Sequence, residues 1–241
     1  PEVIKIGFIG PLTGNVASFG QDYKKGIELY FKENPTIKGR PVKMIWEDGR
    51  CNGQDAVNAV KKLVEIDKVE VVLGGQCSGE ILAAAPIGES NKVVMISSFA
   101  SNPSITDAGD YIFRNYPSDA RVARTMVDVL TQNEGFKKIA VLSEQTDYCQ
   151  GFRNAIRKHL KADGHEDYLV VDEAFGVDNT DFRSLLQKVR ESGAEVLVAI
   201  GQSPVTDGFI VRQAKETGLS LPIYSTDTAP GPDFFSTAKD A

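Results

Sequence analysis

Hydroxyl groups are concentrated where two neighbouring strands are predicted to end. The apolar run Val71–Leu73 breaks into a glycine pair and then Cys77-Ser78, ahead of apolar residues at helical spacing. Ser78 stands at the predicted N-cap of that helix, where a hydroxyl and free amides can bind a small anion. The run Val93–Ile96 ends in the hydroxyl-rich segment Ser97–Pro103. Two polar strand ends side by side predict a ligand site, although ordinary helix termination also accounts for an N-cap serine.

The three cysteines are informative through their positions. Cys51 and Cys77 each follow a strand end, and neighbouring parallel strands would bring those two turns together. We therefore predict a disulfide between them, which indicates an oxidising compartment; two buried free thiols are the alternative. Cys149, beside Tyr148, is expected to be a free thiol at a helix start.

The sequence carries no recognisable catalytic motif. It has no P-loop Gly-Lys-Ser/Thr, no Cys-x-x-Cys, no helical pair of histidines and no Gly-x-Ser-x-Gly nucleophile elbow. The pair Glu47-Asp48 at a strand end has the chemistry of an acid-base or metal site, but a solvated turn is the more ordinary interpretation. We expect no catalytic residue, no metal and no cofactor.

Composition indicates a globular chain and excludes some partners. Its 241 residues and 41% hydrophobic content suffice for one large or two small α/β domains. A net charge of -6, with both signs interspersed, argues against nucleic acid as the main partner. No run approaches the roughly 18 apolar residues that cross a bilayer, so we expect no direct membrane insertion of this chain.

The elements that position these groups alternate between strand and helix, which predicts parallel sheets with right-handed crossovers. The rhythm restarts at Lys138, and we place a boundary near Pro117, giving an N-terminal lobe of residues 1–117 and a C-terminal lobe of residues 118–241. The predicted strands are Val3–Ile9, Val42–Glu47, Val71–Leu73, Val93–Ile96, Tyr111–Tyr116, Lys138–Leu142, Tyr168–Val171, Glu195–Ile200 and Pro222–Tyr224. The predicted helices include Ala56–Ile66, Val122–Leu130, Phe152–Lys161, Phe182–Glu191 and Asp207–Thr217.

Five stretches of the sequence are distinctive when taken together: IKIGFIGPLTG at the start, WEDGRCNGQDA, GGQCSG, MISSFASNPSIT and VLSEQTDYCQGF. With them the chain resembles the type I periplasmic solute-binding proteins, specifically the leucine/isoleucine/valine-binding family of ABC transporters. The resemblance implies two three-layer α/β/α lobes with parallel sheets and an amino acid ligand captured between them. It also implies delivery to a membrane ABC permease and a periplasmic or extracytoplasmic location, with a lipid anchor on the precursor as a further option.

The resemblance also assigns the ligand contacts. Ser78 matches the serine that holds the ligand carboxylate, and Asp227 matches the acidic residue that pairs with its ammonium. Tyr148 matches an aromatic residue of the second lobe, and Gln202 falls where the family often has an aromatic residue. The remaining matches, an aromatic wall and a set of backbone and hydroxyl contacts, are Phe19, Phe99, Ala100 and Ser101.

Relatives of this kind continue for roughly another third of their length, so the C-terminal part of the usual fold is expected to be absent here. The alternatives are a sensory or receptor ligand-binding domain of the same fold, and a binder of an amide, urea-like or aromatic acid ligand. An α/β enzyme with Asp227 and Tyr148 as acid-base groups is a further alternative.

Overall fold

The computed structural model describes residues 2–177 and 179–239. These residues form two compact units, divided after Pro117. Each unit contains one sheet with helices packed against it, so the predicted α/β class with parallel sheets in two lobes is confirmed. Among the described helices, none is long and apolar enough to cross a membrane.

The sheet of the first unit has six strands in the order β2-β3-β1-β4-β5-β6, and every pairing is parallel except that of β2 with β3. Lys38 and Gly39 join β2 to β3 with positive φ angles of 49° and 77°, which suit a two-residue hairpin. The strands are β1 Ile4–Gly10, β2 Thr36–Ile37, β3 Arg40–Asp48, β4 Val71–Gly74, β5 Val94–Ser97 and β6 Ile112–Arg114.

The core of the first unit lies between this sheet and two helices. Val72 and Met95 of the sheet pack with Val60, Leu63 and Ile81 of the helices, and all five are fully buried. The helices of this unit are α1 Ala17–Glu33, α2 Gly53–Lys61 with a π-helical turn Lys62–Ile66, and α3 Ser78–Asn91, followed by a 3-10 turn Pro103–Asp107.

The sheet of the second unit has four parallel strands in the order β10-β9-β7-β8. Two cores flank it, because Val198 belongs to the apolar cluster on one face and the adjacent Leu197 to the cluster on the other. The elements are α4 Asp119–Asp128 with a π-helical turn Val129–Asn133, β7 Ile139–Glu144, α5 Asp147–Ala162, a 3-10 turn Glu166–Tyr168, β8 Leu169–Phe175, α6 Arg183–Glu191, β9 Val196–Ile200, α7 Pro204–Glu216, β10 Ile223–Tyr224 and α8 Pro232–Ala238.

In both sheets the order of strand addition reverses at the first strand in sequence, which is a topological switch point. In the first unit β1 lies between β3 and β4, and in the second unit β7 lies between β8 and β9. The crevice outside the carboxyl ends at such a reversal is where open α/β sheets bind ligands. In each unit the loops that follow these strands are therefore the expected location of a ligand site.

Several element bounds differ from the predicted ones for one physical reason. The predicted helix starts rest on apolar spacing, whereas α2, α4, α5 and α7 begin about three to five residues earlier, directly after a polar cap. Asn52, Ser118, Thr146 and Ser203 each accept a backbone N–H of the following turn. The predicted strand Tyr111–Tyr116 shrinks to three residues, and β2 and α8 were not predicted.

Candidate functional site

The turn after β4 lies directly over the end of β1. Gly74 and Gly75 have φ angles of +126° and +69°, and a Cβ added at Gly74 would lie 1.8 Å from the carbonyl oxygen of Ile9. The amide of Gly75 donates to that same oxygen at 2.9 Å. Only glycine permits this backbone approach. The close approach places the start of α3 at the topological switch point of the sheet, beside the end of β1.

Ser78 is the first residue of α3 and not its N-cap, which is a correction to the sequence prediction. The N-cap is Cys77, in an extended conformation with φ -86° and ψ 143°. The carboxylate of Glu80 accepts the Cys77 amide at 3.0 Å, and the helix begins at Ser78, one residue earlier than capping by Ser78 would require. Ser78 is only 1% exposed, and its Oγ accepts the Asn102 amide at 3.2 Å.

Glu80 fastens two loops of the first unit together. One carboxylate oxygen accepts the amide of Cys77 and the other accepts the amide of Cys51, both at 3.0 Å. Burial raises the pKa of Glu80 to about 7, against the opposing effect of the N–H donors from Cys77, Cys51 and Gln76. The predicted disulfide Cys51–Cys77 is present and joins the same two loops, with Cα atoms 5.3 Å apart.

Side-chain hydrogen bonds tie the loop after β4 to the loop after β5. Ser97 donates its hydroxyl to the carbonyl oxygen of Gly75 at 2.8 Å. The side-chain amide of Gln76 donates to Ser98 Oγ at 3.1 Å. With the Asn102–Ser78 bond, these contacts fix the relative position of the two hydroxyl-rich strand ends that the sequence singled out.

The segment Phe99–Ser101 is held from both of its sides. The Phe99 and Ala100 amides donate to Ser97 Oγ at 3.4 and 3.0 Å. The guanidinium of Arg114, on β6, donates to the carbonyl oxygen of Ser101 at 3.2 Å. Ser101 is 4% exposed. Sequence reasoning missed Arg114, whose place beside Ser97 in the sheet follows from strand register alone.

Three half-buried aromatic residues of the first unit surround Phe99, which is itself half-buried. Its ring centroid lies 5.1 Å from that of Phe19, 5.3 Å from that of Tyr116 and 6.2 Å from that of Tyr23. The Tyr23 hydroxyl donates to the carbonyl oxygen of Ser98 at 3.1 Å, which fixes α1 to the loop after β5. Phe19 therefore packs against Phe99, and its role as an aromatic wall of a ligand site stays a prediction.

In the second unit, Tyr148 and Asp227 contact each other directly. Tyr148 lies in the first turn of α5 and is 4% exposed, whereas Asp227 is exposed. The Tyr148 hydroxyl donates to Asp227 Oδ1 at 3.3 Å. Burial, with the negative charge of Asp227 as the next contribution, holds the pKa of Tyr148 well above 10.0. The hydroxyl therefore stays protonated and remains a donor to the carboxylate.

The backbone of Gln202 is fixed at the topological switch point of the second sheet. Its amide, two residues after β9, donates to Glu144 Oε2 at 2.7 Å, and Glu144 is the last residue of β7. Sequence reasoning missed Glu144 and also Asp207, a fully buried carboxyl whose Oδ1 accepts the Gly201 amide at 2.9 Å. Burial raises the pKa of Asp207 to about 7.

The predicted contacts thus fall into two groups. Phe19, Ser78, Phe99, Ala100 and Ser101 lie together in the first unit. Tyr148 and Asp227 are in contact in the second unit, and Gln202 lies on the neighbouring turn. Across residues 2–177 and 179–239, no group of three or more His, Cys, Asp or Glu side chains is arranged to hold a metal ion.

The chain resembles known proteins over nearly its whole length. The profile of the family described as periplasmic binding protein matches residues 3–233. An amino acid binding protein of Pseudomonas aeruginosa is 30% identical over 239 residues, which are 98% of this chain and 63% of that protein. This chain therefore spans less than two thirds of the length of that relative.

Solved structures agree with the sequence comparison. The leucine binding protein LivK of Thermotoga maritima superposes with a TM-score of 0.91 at 27% identity, over 98% of this chain and 67% of that one. LivJ of Streptococcus pneumoniae, a branched-chain amino acid transporter substrate binding protein solved with isoleucine, gives a TM-score of 0.86 at 26% identity, over 99% and 68%. The chain belongs to the periplasmic binding protein family, on the type I branch that includes the leucine-, isoleucine- and valine-binding proteins.

Proposed function

We propose that this chain is the ligand-capturing part of an extracytoplasmic solute-binding protein for a small α-amino acid. Ser78, Ser101 and neighbouring amides of the first unit take the ligand carboxylate, and Asp227 of the second unit takes its ammonium. The observation that carries the proposal is the exposed carboxylate of Asp227 held by the buried hydroxyl of Tyr148. A carboxylate oriented by a neutral donor keeps its negative charge for a cationic group.

The first unit supports the other end of the ligand. Ser78 begins α3, a helix of 14 residues, and backbone amides at a helix start favour a carboxylate. The aromatic cluster around Phe99 offers apolar surface beside these polar groups. A few polar contacts on an apolar wall are the usual composition of a small-molecule site.

The energetics of a small ligand require that both of its ends be bound. A leucine-sized solute has about nine heavy atoms, and micromolar binding corresponds to roughly -8 kcal/mol, or about -0.9 kcal/mol per atom. That efficiency lies inside the ceiling of about -1.5 kcal/mol per atom for very small ligands but well above the roughly -0.3 kcal/mol per atom of larger ones. A ligand bound only through its side chain would not reach this binding free energy per atom. Contacts to both the carboxylate and the ammonium are therefore central to the proposal.

The proposed protein binds without turnover and delivers its ligand to an ABC permease in the membrane. The family consists of solute-binding proteins, and relatives are named for amino acid binding. Native mass spectrometry of freshly purified protein, followed by calorimetric titration with a panel of amino acids, tests the proposal. A bound α-amino acid is expected. Binding of an aromatic acid or an amide in its place would overturn the amino acid assignment.

A further inference from the structure

We infer that Asp207 is the positioning residue for Asp227, because it ties the segment 225–228, which carries Asp227, to the turn after β9. The inference rests on the proposed function, in which Asp227 receives the ligand ammonium. Asp207 itself is fully buried, whereas Asp227 is exposed. Asp207 would therefore act on the ligand through Asp227 and not by direct contact.

The geometry of Asp207 is that of a two-sided tie. Its Oδ1 accepts the amide of Gly201 at 2.9 Å, and its Oδ2 accepts the hydroxyl of Ser225 at 2.9 Å. A second tie runs in parallel, since the Thr228 hydroxyl donates to the carbonyl oxygen of Gly201 at 3.0 Å. Asp227 lies between Ser225 and Thr228, so both flanks of its backbone are fixed to the same glycine-containing turn.

The turn after β9 is itself held in place by hydrogen bonds. The N–H and the carbonyl of Gly201 are both used, and the next amide, of Gln202, donates to Glu144 at 2.7 Å. Glu144 ends β7, a strand whose six residues are all buried. These hydrogen bonds therefore fix the segment 225–228 relative to β7, at the centre of the sheet.

Strand pairing alone does not place Asp227. The strand β10 has only two residues, and its pairing with β9 ends at Tyr224, before Ser225 is reached. Beyond that point the chain leaves the sheet, and the turn bond from the Ala229 amide to the Thr226 carbonyl oxygen, at 3.2 Å, is local. The side-chain ties from Ser225 and Thr228 therefore set where the Asp227 carboxylate lies relative to Tyr148.

The variants separate the tie from the general stability of the fold. Ser225→Ala removes only the hydroxyl that Asp207 accepts, and Asp207→Ala removes both bonds. Asp207→Asn retains an acceptor for the Gly201 amide and can donate to Ser225, so it should restore the position of the segment. Ser220→Ala, an exposed serine of the same unit, is the matched control.

The first readout is amide hydrogen exchange without ligand. Ser225→Ala is expected to speed exchange at the Ala229 amide by about tenfold, while amides of β7 and β9 are unchanged. Unchanged exchange at Ala229 would overturn the inference. Because this measurement needs no ligand, it decides the inference even if wild-type protein binds no amino acid and the proposed function fails.

The second readout compares L-leucine with 4-methylpentanoate, which lacks only the amino group. Ser225→Ala and Asp207→Ala are expected to weaken L-leucine about tenfold and 4-methylpentanoate by less than about twofold, with Asp207→Asn and Ser220→Ala close to wild type. Equal losses for both probes would overturn the inference, as would an Asp207→Asn variant as impaired as Asp207→Ala. Ser225→Ala keeps the test decisive if Asp207→Ala does not fold.

Discussion

Glu80 lies in the first turn of α3, yet its carboxylate accepts the amide of Cys51, 29 residues earlier in the chain, at 3.0 Å. The other carboxylate oxygen accepts the amide of Cys77, the disulfide partner of Cys51. A covalent bond and a buried carboxyl thus join the same two loops at the start of the helix that carries Ser78.

The raised pKa of Glu80 predicts how stability depends on pH. Its value in the folded state is about 7, against 4.5 as the ordinary value, so the folded protein holds this proton more tightly than the unfolded chain does. The resulting stabilisation is complete below pH 4.5 and is lost as the pH rises through about 7. Over that window Glu80 should reduce the free energy of unfolding by about 3 kcal/mol.

Urea unfolding of wild type and Glu80→Gln at several pH values measures this effect. The glutamine variant cannot titrate, so its stability relative to wild type should rise between pH 5 and pH 8. Asp22→Asn, which removes an exposed carboxylate, should follow the wild-type curve. Parallel curves for wild type and Glu80→Gln would show that the Glu80 proton is not linked to folding.

The disulfide predicts a thiol count and a loss of stability on reduction. Denatured, unreduced protein should show one thiol per chain, that of the buried Cys149, because Cys51 and Cys77 are joined. Their sequence separation of 26 residues corresponds to roughly 3 to 4 kcal/mol of stabilisation. Reduction should lower the free energy of unfolding by that amount in wild type and equally in Cys149→Ala, whereas a count of three thiols would contradict the bond.

Ser78→Ala should affect both stability and binding. The substitution leaves the buried Asn102 amide without the acceptor it has at 3.2 Å, which should cost about 1 to 2 kcal/mol of unfolding free energy. It also removes a hydroxyl proposed to contact the ligand carboxylate, for a loss of ~1 to 3 kcal/mol in affinity. Ser90→Ala, at the exposed far end of α3, is the control. An effect on stability alone would remove Ser78 from the ligand contacts.

The sequence was sufficient to predict the α/β class of the fold and the loops in which the candidate site lies. Alternation of apolar runs with helical spacing predicted the parallel strands, and the strand ends at Gly74 and Ser97 are where the structure links its loops. The disulfide followed from the same reasoning. The hairpin strand β2 was missed because it is only two residues long and because its Lys38-Gly39 turn lacks the Asn-Gly or Asp-Gly dipeptide that signals a hairpin in a sequence.

The groups that hold the site together could not be found this way. Glu80 and Asp207 act through hydrogen bonds to Cys51 and Ser225, which lie 29 and 18 residues away in sequence. Apolar periodicity says nothing about such bonds. The Glu80 position, three residues after Cys77, has the spacing of a capping box, but cysteine is not a typical N-cap residue, so the sequence pattern favours Ser78 as the cap.

The most direct test of the account is the affinity of Asp227→Ala for the amino acid that wild type binds, measured by calorimetric titration. Removal of the carboxylate should leave a desolvated ammonium without its countercharge, and the expected loss is ~2 to 5 kcal/mol. Asp233→Ala makes the same change in charge at an exposed position of α8 and should bind as wild type does. An unchanged affinity in Asp227→Ala would contradict the central claim, since it would show that the ligand has no ammonium at Asp227.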